Sequence, residues 1–220
     1  MLTNDNINQL IGIKESYQAS DRLMALLFDR GRREALFKKF LALEKDVSYD
    51  WFHEYFQDEH ADRKVHKQDF TPKSIADVLI KAIGNSGVTL DIAAGTGGMT
   101  IRKWWNDCLK ETPFSYLPAN YMYQCEELSD RALPFLLFNL LIRGMNATVV
   151  HGDVLSRKIK QIYFIQNEKN NHLGFSSLNM LPHNKTVCRE FDVHAWLEPE
   201  LNYIESVEFP KHLRLGGVEG

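Results

Sequence analysis

Between residues 91 and 98 the chain reads Asp91-Ile92-Ala93-Ala94-Gly95-Thr96-Gly97-Gly98, an acid followed closely by a glycine-rich turn. Glycine lets a backbone turn sharply and approach a ligand, and a helix that begins beyond such a turn presents unpaired N–H groups to it. The flanks fit that use. Val88-Thr89-Leu90-Asp91-Ile92 reads as a short buried strand, and the stretch through Trp104 and Trp105 as a helix. A strand, a glycine loop and a helix in this order place a nucleotide-like ligand at the carboxyl end of a sheet.

The acids indicate which kind of ligand. A dinucleotide fold holds its ribose with an acid about twenty residues after the glycines, whereas here the next strand ends in Cys125-Glu126-Glu127, with Glu127 thirty residues beyond Gly97. Asp91 stands on the strand immediately before the loop, where a carboxylate repels a pyrophosphate and favours a cationic, phosphate-free ligand. S-adenosylmethionine carries a sulfonium and an ammonium and has no phosphate.

Around this loop the periodicity sets out the elements that must position it. A helix is expected over Ser74 to Ile83, ended by Gly84; a strand around Tyr121 to Cys125; a long helix from Ser129 to Arg143; a strand at Thr148 to Val150; and a further strand from Gln161 to Gln166. Strands alternating with helices imply a parallel sheet covered on both faces, an α/β doubly wound domain. Ahead of it, leucines and phenylalanines at helical spacing between Ser20 and Asp46 predict two amphipathic helices with a turn around Gly31. Trp51, Phe52, Tyr55 and Phe56 form an aromatic stripe on a third helix, expected to pack on the main domain rather than to stack on bases. The division is a helical segment over 1–67 and a ligand-binding domain over 68–220.

Composition excludes several classes. With 26 Lys and Arg against 29 Asp and Glu, a net charge of −3 gives no global positive field for nucleic acid. Three cysteines, Cys108, Cys125 and Cys188, without C-x-x-C spacing, argue against a disulfide framework or a zinc site, and the spacing of His53, His60 and His66 suits no metal. The first residues carry no signal-peptide pattern, and the longest apolar run, Ala132 to Ile142, is too short to cross a bilayer, so a cytoplasmic location with no membrane partner is expected.

Four elements in order, over roughly residues 68–155, resemble the S-adenosylmethionine-dependent adenine-N6 DNA methylases, especially the modification subunits of type I restriction systems. They are Gln68-Asp69-Phe70-Thr71-Pro72; the loop Asp91 to Gly98, which matches Asp-Pro-Ala-Cys-Gly-Thr-Gly-Gly except at Ile92 and Ala94; Glu127 followed by a helix closing on Asn139-Leu140-Leu141-Ile142-Arg143-Gly144; and His151-Gly152-Asp153. The resemblance implies a Rossmann-like class I methyltransferase fold with a small N-terminal helical extension, and S-adenosylmethionine as cofactor. It also implies roles: Phe70, Thr71 and Pro72 near the methionine moiety, Asp91, Ala93, Gly95, Thr96 and Gly97 at the amino-acid part and ribose, Glu127 on the ribose hydroxyls, and Asp153 on the adenine amino group.

The family pattern breaks where catalysis would sit. Methylating an exocyclic amine requires a flipped base stacked on an aromatic ring, with acceptors holding the amine; the family supplies these with Asn-Pro-Pro and Tyr or Phe after its fourth strand. Here Gln166 runs into Asn167-Glu168-Lys169-Asn170, which leaves Asn167 as the catalytic candidate and lacks the prolines and the aromatic. The 67 residues after Asp153 are too few for a target-recognition region, so DNA would be bound only with a partner subunit. Basic clusters at Ser156 to Lys160 and Lys211 to Arg214 read as solvated surface. Three readings stay open: a small DNA adenine methyltransferase, a degenerate relative acting by protein contact on a restriction-modification assembly, and a methyltransferase with a non-DNA acceptor.

Overall fold

A computed structural model of the chain describes residues 2–61, 88–112 and 115–206. Phe70, Thr71, Pro72, the helix expected over Ser74 to Ile83, and the Lys211 to Arg214 cluster lie outside the described residues.

Four helices open the chain: α1 (Asn4–Ile11), α2 (Ala19–Leu27), α3 (Arg30–Leu43) and α4 (His53–Ala61). The break between α2 and α3 falls at Phe28-Asp29 and not around Gly31. Asp29 decides this, because its carboxylate accepts from the Arg32 N–H and caps α3, leaving Gly31 inside the first turn.

The sheet comprises β1 (Val88–Ile92), β2 (Met122–Glu127), β3 (Ala147–Asp153), β4 (Lys158–Gln166), β5 (Ser177–Met180) and the short β6 (Ala195–Trp196). Helix α5 (Gly98–Lys110) connects β1 to β2, α6 (Leu133–Ile142) connects β2 to β3, and α7 (Lys185–Glu190) follows β5. β1, β2 and β3 run parallel, with Asp91 beside Cys125 and Glu127 beside His151.

After β3 the direction changes. Only Val154 to Arg157 separate β3 from β4, far short of the dozen or so residues a parallel crossover needs. β4 therefore folds back antiparallel, with Val150 beside Ile162, and β5 returns antiparallel to β4. The result is a mixed α/β sheet in the order β1-β2-β3-β4-β5, with β6 on β4, flanked by helices. The wholly parallel sheet implied by strand–helix alternation is realised in its first three strands.

Every residue of α6 is buried, as a helix apolar on all sides requires. The sheet covers one side and the N-terminal helices cover the other. The Phe52 ring lies 4.9 Å from Phe135 and 5.1 Å from Phe138, and Phe37 lies 4.7 Å from Phe138. The aromatic stripe is thus core, each buried ring contributing about 1.5–3 kcal/mol. One continuous core runs from Ile7 through α6 to Met180, so the N-terminal helices and the sheet share it. A smaller cluster of Val150, Ile159, Ile162 and Val187 fills the opposite face under α7.

β1 differs from the buried strand that its sequence suggests. It pairs only with β2 among the described strands, and its side chains alternate. Asp91 points to α5, while Val88, Leu90 and Ile92 are 60%, 54% and 58% exposed on the other face. Among the described residues no helix is long and apolar enough to cross a membrane.

Candidate functional site

The loop joining β1 to α5 passes through left-handed backbone at Ala93 (φ 59°), Gly95 (φ 59°) and Gly97 (φ 96°). For Ala93 this conformation costs about 1–2 kcal/mol, and the surroundings hold it there: the Ala94 N–H bonds the Glu126 carbonyl at 3.0 Å, tying the loop to β2. Gly97 is favoured by its φ, and a Cβ there would stand 2.9 Å from the end of the Leu136 side chain of α6, which would have to shift.

Three carboxylates converge on this loop. Glu127, at the end of β2, accepts from the Gly95 N–H at 2.6 Å and from the Ser129 N–H at 2.7 Å. Asp91 accepts from the Thr100 hydroxyl at 2.7 Å and from the Thr100 backbone. Because Gly97 offers α5 no side-chain cap, the carboxylate of Asp91 takes that role from the strand. The third is Asp50, which arrives from the segment before α4. It accepts from the Thr96 hydroxyl, from the Asn139 amide at 2.8 Å and from the Phe52 N–H at 2.9 Å. Burial pushes all three carboxyls above the ordinary carboxylate range, and the hydrogen bonds they accept oppose it.

Asp50 belongs to a wider network. The Asn139 amide also donates to the Thr96 carbonyl at 2.8 Å, and Arg143 donates to the Asn139 side-chain oxygen at 2.8 Å. Arg143 further holds the carbonyls of Val47 and Tyr49 at 2.9 and 2.6 Å and lies over the Trp51 ring, 5.2 Å from its centroid. Its full burial depresses its pKa to about 10, against the attraction of Asp50. Sequence reasoning missed Asp50 and the structural work of Asn139 and Arg143. The signal was present in α6: an Asn and an Arg four residues apart, closing an otherwise apolar helix.

Asp153 also stands at the carboxyl end of the parallel strands, but on the surface. Its oxygens accept from the Ser156 hydroxyl at 2.7 Å and the Leu155 N–H at 2.9 Å, fastening the β3–β4 turn; the Ser156 bond, followed by that of Leu155, holds its pKa low. The structure therefore brings Asp91, Ala93, Gly95, Thr96, Gly97 and Glu127 together, with Asp153 two residues beyond the position on β3 that pairs with Glu127. The Thr96 side chain is turned inward and is 1% exposed.

Asn167 is elsewhere. Since β4 runs against β3, with Asp153 paired to Lys158 and Ala147 to Ile165, Asn167 lies past the amino end of β3. That is roughly 20 Å along the strand from Asp153 at about 3.3 Å per residue. It is 1% exposed. Its amide donates to the carbonyls of Gly144 at 2.8 Å and Asn171 at 2.9 Å, and its side-chain oxygen accepts from the Asn171 N–H at 3.0 Å. Glu168 pairs with Arg30 at 3.3 Å, and Asn170, at φ 49°, accepts from the Ala119 N–H. The Asn167–Asn170 segment is a pinned turn at the end of the sheet opposite the glycine loop.

The basic stretch after Asp153 is largely neutralised, Arg157 by Glu126 at 3.2 Å and Lys160 by Asp130. Among the described residues no group of three or more His, Cys, Asp or Glu is placed to hold a metal ion. Comparison with family models, with curated proteins and with solved structures returns no match.

The carboxyl end of β1 and β2 thus holds a buried carboxylate, Glu127, bonded to the N–H of the glycine loop.

Proposed function

We propose that the chain binds S-adenosylmethionine at the carboxyl end of β1 and β2, as a protein of the methyltransferase type related to the adenine-N6 DNA methylases. The observation that carries this reading is the set of three carboxylates, Asp50, Asp91 and Glu127, bonded to Thr96, Thr100 and Gly95 around a single glycine loop. Two unit charges 4 Å apart interact by about 1 kcal/mol in water and about 4 kcal/mol near a protein surface. A pyrophosphate would meet that as repulsion and a sulfonium or ammonium as attraction.

In this reading Glu127 takes the ribose hydroxyls and the backbone of Gly95 to Gly97 lies against the amino-acid part with Asp91, while Ala93 and Thr96 shape the loop. Phe70, Thr71 and Pro72 at the methionine moiety and Asp153 at the adenine amino group rest on the resemblance alone. The bound cofactor would supply an electrophilic methyl group. Methyl transfer to adenine in DNA, which the resemblance implies, would draw its amine-holding acceptors from residues other than Asn167, whose amide and oxygen are committed to Gly144 and Asn171.

A second reading, a catalytically degenerate relative that acts by protein contact, is favoured by that same commitment and by the internal pairing of Arg157 and Lys160. Calorimetry separates the claims. Glu127→Ala should weaken S-adenosylmethionine binding ten-fold or more, about 1.4 kcal/mol, and a wild-type chain that binds none would end the cofactor reading. Incubation with labelled cofactor and unmethylated DNA then decides catalysis: binding without label transfer supports the degenerate relative, and transfer abolished by Asn167→Ala with stability and cofactor affinity unchanged would overturn the structural role given to Asn167.

A further inference from the structure

Beyond the ligand itself, the network around Thr96 links the N-terminal segment to the glycine loop. Residues 46–52 lie between α3 and α4, far in sequence from the loop, yet Asp50 reaches Thr96 across a separation of 46 residues. Its carboxylate also stands at the first turn of α5, with an oxygen 3.7 Å from where a Cβ on Gly98 would be, so the positive end of that helix faces an anion belonging to the chain. The segment that carries Asp50 is held from below: Arg143 fixes the carbonyls of Val47 and Tyr49, Asn139 fixes the other oxygen of Asp50, and the Trp51 indole donates to the Asp46 carbonyl. Trp51 and Phe52 anchor it in the core at 4% and 0% exposure. Asp50 is thus locked on three sides and makes its remaining contact with the loop. Thr96 is likewise locked, its hydroxyl by Asp50 and its carbonyl by Asn139.

We propose that Asp50 is a positioning residue for the glycine loop: through the Thr96 hydroxyl it holds residues 93–97 in their ligand-ready turn, so that the N-terminal segment sets the affinity of the site. The proposal rests on the reading of that loop as the S-adenosylmethionine site. Fixing the loop in advance removes the ordering cost that the ligand would otherwise bear. Ala93 in left-handed backbone is the element that needs such support, because an L-residue there relaxes towards the ordinary regions of φ and ψ when its neighbours release it.

The test uses the full chain. Asp50→Ala removes the acceptor of the Thr96 hydroxyl, and Thr96→Val removes only the hydroxyl while keeping the shape. Both variants should lower S-adenosylmethionine affinity at least ten-fold in calorimetry. The double variant should lose no more than the larger single loss, because both act through one bond, and Thr96→Ser should restore most of the affinity. Amide hydrogen exchange, measured without ligand, should accelerate ten-fold or more at Ala94, Gly95 and Gly97 in both single variants while the amides of α6 keep their protection. Additive losses, or exchange that rises equally in α6 and the loop, would reduce Asp50 to a general core contact and overturn the proposal. A wild-type chain that binds no S-adenosylmethionine would defeat the ligand reading, and the exchange data would still decide whether Asp50 holds the loop.

Discussion

Replacing Glu205 with Gln removes half of a charge pair that has no water to fall back on. Arg33 is 0% exposed and Glu205 5%, and the guanidinium meets the carboxylate through two bonds of 2.6 Å, while its first nitrogen also donates to the Leu27 carbonyl. Glu205 further accepts from the Leu178 N–H and the Tyr203 hydroxyl. The pair joins α3 to the chain that runs past β5. Removing one member leaves the other charged and buried, which costs about 3–5 kcal/mol, a large part of the 5–15 kcal/mol that a domain commonly has. At about 2–4 °C per kcal/mol for a chain of this size, the midpoint of melting should fall by about 6–20 °C. Arg33→Met should fall at the lower end, because Leu178 and Tyr203 continue to satisfy Glu205. The double variant Arg33→Met with Glu205→Gln leaves no buried charge and should lose at least about 2 kcal/mol less than the sum of the singles. Urea unfolding followed by tryptophan fluorescence supplies all four free energies. An effect of Glu205→Gln within about 1 kcal/mol, or single losses that simply add, would refute the reasoning.

The same pair sets a pH response. Burial raises the Glu205 pKa, but bonds from Arg33, Tyr203 and Leu178 outweigh it and hold the group below its ordinary value of 4.5, so its contribution is complete above that value and is lost as pH falls through the lower folded pKa. Unfolding free energies measured from pH 6 down to pH 3 should drop less steeply in the Arg33→Met, Glu205→Gln double variant than in the wild type, and parallel curves would contradict this. Gly144→Ala should destabilise by about 2–5 kcal/mol, from left-handed strain and overpacking together, since φ is +63° and the new Cβ would stand 2.3 Å from the Gly174 carbonyl and 3.0 Å from the Asn167 amide; an unchanged urea midpoint would show that the Asn167 turn yields freely. Burial raises the thiol pKa of Cys108 to about 12 and pushes that of Cys125 up as well, so both should resist alkylation at pH 8 until the chain unfolds, as mass spectrometry of timed iodoacetamide reactions would reveal.

Legibility in the sequence followed the range of the interactions. The glycine loop and Glu127 were readable because a strand, a turn and a helix leave local marks, and because burial at a strand end leaves an acid few partners other than loop N–H groups. The aromatic stripe was readable as core for the same local reason. The direction of β4 was not read, although its signal was there: Val154 to Arg157 leave room for a turn and none for a helix. That single reversal carries the position after the fourth strand to the other end of the sheet, which is why Asn167, matched by order along the chain, stands apart from the loop it was expected to serve. Asp50 was invisible because one carboxylate in a connecting segment carries no periodicity, and its meaning lies in a contact 46 residues away.

The reversal at β4 also sets an order of events in time. β3, β4 and β5 are joined by short links, whereas the site closes across separations of 32 residues from Gly95 to Glu127 and 46 from Asp50 to Thr96. Ring closure costs more entropy as its span grows, and local pairings are correspondingly quicker. The antiparallel half therefore has the lower closure cost, and the glycine loop, which closes over the longer separations, is expected to form later. If S-adenosylmethionine binds that loop as proposed, it should slow unfolding and leave the refolding rate unaltered, so that the two limbs of a chevron recorded with and without it would separate on the unfolding side alone.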